Sequence, residues 1–157
     1  MKPGTFTQMY VQLVFAVKNR EAVLTKDIRN RVFEYKSGII SNMKYKSIIV
    51  NGTSNHIHIL LGLNPSISVS DTVHDIKRGS SLFINKERIC HGRFSWQEGY
   101  GGFTYNRLQI PDIYTYIKNQ ESHHKKKTFR DEYIEFLTNN EMEFDKRFLF
   151  DFLDDIA

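Results

Sequence analysis

Apolar residues alternate with polar ones in some stretches of this chain and recur every three or four residues in others, which separates strands from helices. Met9 to Lys18 alternates imperfectly and predicts a first strand. Thr25 and Asp27 offer N-cap chemistry to a helix that turns Ile28, Val32, Phe33, Ile39 and Ile40 towards a core, with Gly38 as a point of interruption or ending. Lys44 to Asn51 reads as a second strand, and the apolar run Ser54 to Leu63, SNHIHILLGL, as a third. Asn51-Gly52 between them is a hairpin signal, so the pair is expected to be antiparallel. Ser68-Val69-Ser70-Asp71 starts a second helix with Val69, Val73, Ile76, Phe83 and Ile84 facing inward and Lys77, Arg78, Lys86 and Arg88 outward. Phe94 to Tyr105, rich in glycine and aromatics, predicts a bulged strand or a strand plus loop. Pro111 suits the first turn of a third helix running to about His124, and Arg130–Leu137 and Phe148–Leu153 read as short helical segments.

The order β-α-β-β-α-β followed by helices predicts an α+β fold, a ferredoxin-like split β-α-β sandwich. Its antiparallel sheet would carry helices on one face and leave the other open to a ligand. At 157 residues one domain is expected, spanning 1–157, with no repeat or flexible linker. Cys90 stands alone, which excludes a disulfide framework and a cysteine-based zinc site. The apolar run VQLVFAV is too short for a signal peptide or a membrane span and suits a strand, so a cytoplasmic protein is expected.

Charge divides the chain. Residues 1–130 hold 20 Lys and Arg against 9 Asp and Glu, whereas residues 131–157 hold 2 against 9. A basic body fits a polyanionic partner such as nucleic acid, and the last segment reads as an acidic tail from about residue 131.

Two stretches carry candidate chemistry. His56 and His58 are two apart on a strand and therefore project from one face, with Ile57 and Ile59 behind. They can share a metal ion, sit as hydrogen-bonded core histidines, or lie on a wet sheet face. In YIKNQESHH, helical spacing puts Tyr116, Gln120 and His123 on one stripe beside Ile113 and Ile117, while Tyr114 points away. A phenol can act as nucleophile and a carboxamide oxygen as metal ligand.

The H-hydrophobic-H strand, the WQ-x-GYG-x-F segment and Y-I-x-N-Q-x-x-HH-K-K together resemble the single-tyrosine HUH transposases of bacterial insertion sequences. The matching motifs span Asn55 to Arg130. The resemblance implies His56, His58 and Gln120 as ligands of a divalent metal, magnesium or manganese, and Tyr116 as the nucleophile. It implies cleavage and rejoining of single-stranded DNA through a 5′-phosphotyrosine, recognition of DNA hairpins, and homodimers in which one subunit's tyrosine helix can serve the other's histidines. Two positions depart from the family pattern. Asn55 stands where many relatives carry an acid, and Tyr105 and Asn106 replace small residues.

Lys77, Arg78, Lys125, Lys126 and Lys127 are candidate contacts to DNA phosphates, with a solvated helix face as the alternative. Trp96, Tyr100 and Phe103 offer rings to unpaired bases or to the core. His74 and His91 show no partner spacing and read as structural; His123 and His124 are candidates for contact with phosphate or metal-bound water. The competing readings are a non-catalytic nucleic-acid-binding relative and a replication-initiator type of HUH nuclease.

Overall fold

The computed structural model describes residues 3–18, 24–42, 46–90, 92–124 and 126–150, with the side chains of Ser41 and His124 left aside. Its four strands are β1 (Tyr10–Ala16), β2 (Lys46–Gly52), β3 (His56–Gly62) and β4 (Gly101–Tyr105), in the order β2-β3-β1-β4 with every pairing antiparallel. Helices α1 (Lys26–Asn42) and α2 (Val69–Lys86) are the two crossovers, which gives the split β-α-β arrangement. The start of the second strand at Lys44 and the residues from 151 onward lie outside the described residues.

Alternation on the central strands divides the molecule into two layers. Val11, Leu13, Phe15, Val17, Ile57, Ile59 and Leu61 are all buried, and their face packs against α1 and α2. Ser68 caps α2 by accepting the Asp71 N–H at 3.0 Å, as its sequence position predicts. Helix α1 continues through Gly38 to Asn42 without a break.

Opposite lie Gln12, Val14, Ala16, His56, His58 and Leu60. The sequence left this face open. Instead α3 (Ile110–Lys118), α4 (Gln120–His124) and α5 (Phe129–Asn139) cover it, with Ile110 and Ile117 packed on Leu60. Thr128 caps α5 by accepting the Asp131 N–H at 3.1 Å. Within the acidic segment after residue 130, Glu132, Tyr133 and Leu137 of α5 are therefore buried in the fold. The helical turn nearest the chain end is short, Lys146–Phe148, and Phe150 beyond it is buried against Phe129 and Tyr133.

Two local expectations are corrected. Asn51-Gly52 is not the turn, because both residues are still in β2, Asn51 opposite His58 and Gly52 opposite Ile57. The chain reverses over Thr53, Ser54 and Asn55, closed by Thr53 N–H to the His56 carbonyl at 3.0 Å. Gly52 is needed for close approach: a Cβ there would lie 2.2 Å from the His56 carbonyl oxygen and 2.8 Å from Ile57 Cα. Gly52→Ala is expected to cost about 1–3 kcal/mol, the usual penalty of overpacking, read as a lower denaturant midpoint. The third helix also does not run unbroken to His124. Asn51 Nδ2 donates to the carbonyls of Ile117 (2.9 Å) and Lys118 (3.1 Å), so those acceptors are already engaged and the helix parts at Asn119.

Lys36 is fully buried on α1, its ammonium without a hydrogen bond among the described residues, 3.8 Å from the centre of the Trp96 ring and 4.3 Å from that of Phe15. Burial, with Lys77 adding repulsion, holds its pKa well below the ordinary lysine value. Between the folded pKa and about 10.4 the unfolded chain binds the proton that the folded chain releases, so this residue makes stability rise with pH. Lys36→Met is expected to raise the melting temperature at neutral pH and to flatten that slope, as followed by thermal unfolding at several pH values.

Candidate active site

The site is assembled from β3, the ends of α3 and α4, and α5. His56 and His58 are adjacent on one face as strand spacing requires, with ring centres 5.1 Å apart and no solvent exposure. Gln120, at the start of α4, is equally buried and brings its Oε1 to 3.2 Å from His56 Nε2. Tyr116 is half-buried on α3, its ring 6.0 Å from that of His58, while Tyr114 faces outward. Despite the break at Asn119, the Tyr116 and Gln120 side chains still meet the histidines of the same chain.

A residue that the sequence reading missed lies at the centre. Glu132 on α5 is only 2% exposed. Its Oε1 is 3.1 Å from His58 Nε2 and 3.6 Å from His56 Nε2. Its Oε2 accepts from the Tyr116 hydroxyl and from Gln120 Nε2 at 3.4 Å, and lies 3.5 Å from His123 Nε2. Ligand atoms of His56, His58 and Glu132 all fall within 4.8 Å of one another. A signal for it exists in the sequence: Phe129, Tyr133 and Leu137 mark the buried stripe of α5, and a carboxylate at 132 shares that stripe.

The rings around the cluster exclude water. Phe129 stacks on His56 with centres 3.8 Å apart, and Phe136 packs near both His58 and Tyr116. A cavity of about 260 Å³ opens beside them, lined by Ile113, Tyr116, His123, Lys127, Glu132 and Phe136 among others. Burial, followed by the charge and hydrogen bond of Glu132, pushes the Tyr116 phenol well above its ordinary pKa, with Gln120 opposing in part.

The donor set fits a cation. Asn55 Oδ1 can only accept, so a neutral His56 donates Nδ1–H to it at 2.8 Å and keeps the Nε2 lone pair. That lone pair faces two further acceptors, Gln120 Oε1 and Glu132 Oε1. A cation would be shared there by the His56 nitrogen and the two oxygens. Imidazole nitrogens with amide or carboxylate oxygens suit a divalent ion. Asn55 thus orients His56.

The basic candidates divide. Lys77 is half-buried and donates to the carbonyls of Gln97 (2.8 Å) and Gly99 (2.7 Å), fixing the loop before β4. Burial lowers its pKa to about 8, with Glu98 opposing. Arg78 and Lys126 are exposed, and Lys127 is paired with Glu135. Lys125 and His91 lie outside the described residues. Trp96 and Phe103 are core residues, with Trp96 Nε1 donating to Ser80 Oγ at 3.0 Å, while Tyr100 is exposed and His74 faces outward.

The fold is thus an antiparallel split β-α-β sheet that brings a histidine pair beside a helix-borne tyrosine. The chain belongs to the family described as IS200-like transposases, whose pattern it matches over residues 5–120. Among solved structures, a Deinococcus radiodurans R1 protein described as a candidate transposase aligns with TM-score 0.61 and 21% identity, covering 76% of this chain and 96% of that one. A REP-associated tyrosine transposase solved bound to a REP hairpin aligns with TM-score 0.57 and 12% identity, covering 79% of this chain and 74% of that one. At these identities the two structures bear on the fold alone. None of the curated proteins matches the sequence. No helix among the described residues is long and apolar enough to cross a membrane.

Proposed function

We propose that this transposase cleaves and rejoins single-stranded DNA through a transient 5′-phosphotyrosine on Tyr116, with a divalent metal held by His56, His58 and Gln120. The observation that carries the reading is the convergence of two imidazoles, a carboxamide oxygen and a phenol on one buried point, bridged by Glu132. In the proposed step Tyr116 Oη bonds to phosphorus and the bond from phosphorus to the 3′ oxygen breaks. The phenol proton passes to the Glu132 carboxylate that accepts its hydrogen bond, and the departing 3′ oxygen takes up one proton, so the exchange is proton-neutral overall. Rejoining runs the same exchange backwards, so the phosphodiester energy is kept in the protein–DNA bond and no nucleotide cofactor is consumed. A bound divalent ion supplies charge to the phosphate oxygens and opposes the high phenol pKa.

Glu132 adds a fourth donor, the second that is an oxygen. It also takes the hydrogen bond of Tyr116, so its carboxylate is placed to receive the phenol proton as the oxygen attacks. The cavity beside Tyr116 supports entry from the side of His123 and Lys127. Hairpin-bearing single strands as substrate and assembly as a homodimer belong to the proposal. Exposed Arg78 and Lys126 are the proposed phosphate contacts; Lys125 and the ion-paired Lys127 join them on sequence grounds.

The test is end-labelled single-stranded DNA carrying a hairpin, incubated with the protein and magnesium or manganese, then run on a denaturing gel. A covalent adduct that peptide mapping assigns to Tyr116 is the expected result. Cleavage that leaves no protein-linked DNA would instead indicate a hydrolytic nuclease. Binding without cleavage in either ion would favour the non-catalytic reading.

A further inference from the structure

Gln12 is fully buried in the middle of the central strand β1, where an apolar side chain would pack at no cost to the sheet. A buried carboxamide needs partners for both of its ends. Gln12 Nε2 lies 2.7 Å from His58 Nδ1, and its Oε1 accepts from the Tyr105 hydroxyl at 2.8 Å. Tyr105 is one of the residues that depart from the family pattern, and this bond gives its phenol a partner. We propose that Gln12, anchored by Tyr105, is the positioning residue that sets which ring nitrogen of His58 is free to hold a divalent cation. The inference rests on the metal site described above.

The network has a direction. The Tyr105 hydroxyl donates to Gln12, and Gln12 Nε2 donates to His58 Nδ1. A neutral His58 then carries its proton on Nε2, from which it donates to Glu132 Oε1 at 3.1 Å. In that tautomer His58 offers no lone pair to a cation. Metal ligation by Nε2 needs the proton on Nδ1 instead, which requires an acceptor where Gln12 now donates. Rotating the carboxamide by half a turn supplies it: Oε1 accepts from Nδ1–H, and Nε2 donates to the Tyr105 oxygen. A hydroxyl donates or accepts equally well, so both hydrogen bonds survive the rotation. The ring keeps one proton throughout, so the change is a shift of tautomer with no net uptake. The two histidines differ in this respect. His56 is preset by Asn55 Oδ1, whereas His58 is switched by Gln12.

The experiment uses the full chain without DNA. Manganese affinity is measured by calorimetry for wild type, Gln12→Leu, Gln12→Glu, Tyr105→Phe and His56→Ala, with thermal unfolding in metal-free buffer as the folding control. Long-range ¹H–¹⁵N NMR reads the His58 tautomer with and without magnesium. The expected results are an Nε2-protonated His58 in metal-free protein and an Nδ1-protonated one with magnesium. Gln12→Leu should bind manganese about ten- to a hundred-fold more weakly, the usual cost of losing a residue that orients a ligating histidine. Gln12→Glu, a fixed acceptor for Nδ1–H, should match or exceed wild type, and Tyr105→Phe should fall between. If His56→Ala loses manganese but Gln12→Leu binds it like wild type, or His58 keeps one tautomer in both states, the positioning role is overturned. If His56→Ala binds manganese as tightly as wild type, the metal-site reading falls and the positioning role with it.

Discussion

Tyr116→Phe is expected to bind single-stranded hairpin DNA as wild type does and to form no covalent adduct. The substitution removes one oxygen from a half-buried ring whose edge-on contacts with His58, His123 and Phe136 are made by carbon atoms and persist in phenylalanine. What it deletes is the atom proposed to bond to phosphorus. The expected loss of cleavage exceeds 10³-fold, the scale on which covalent catalysis fails when its nucleophile is removed. The neighbouring Tyr114 is exposed, so Tyr114→Phe should cleave normally. A labelled strand resolved on a denaturing gel reports both. An adduct of wild-type yield from Tyr116→Phe would remove Tyr116 from the mechanism.

The second large effect is expected at the histidines. His56→Ala and His58→Ala each remove a nitrogen donor from a buried point, and each should abolish manganese binding detectable by calorimetry together with cleavage. The two variants should not be equal in stability. His56 is stacked on Phe129 and hydrogen-bonded to the Asn55 side chain, so its loss leaves a gap beneath α5. Lost metal binding with a retained melting transition separates a ligand from a structural histidine. If both variants still bound manganese and cut DNA, the metal centre would have to be sought elsewhere.

Much of this architecture could be read from periodicity, because the relevant interactions are local. Strand alternation put His56 and His58 on one face, and the order of strands and helices implied the split β-α-β sheet. What escaped were consequences of contacts between distant segments. The carbonyls at the break before Asn119 are engaged by the amide of Asn51, 66 and 67 residues away. The same residue looks like half of a turn in sequence, and the neighbouring Gly52 like its partner, whereas one serves α3 and the other a close approach to His56. Lys77 looked like part of a basic face because its carbonyl partners are 20 and 22 residues away. Glu132 was lost in the composition of its neighbours. Nine acidic residues after position 130 read as a solvated segment, and only its place on the buried stripe of α5 distinguishes this one from the rest.

Glu132 also lies past residue 120, where the match to the family ends. The histidines, Gln120 and Tyr116 are within the shared portion; the carboxylate that touches them is outside it, on a helix held to the site by side chains. A substitution confined to α5 can therefore change how tightly the cluster is closed while leaving every residue of the matched portion as it is.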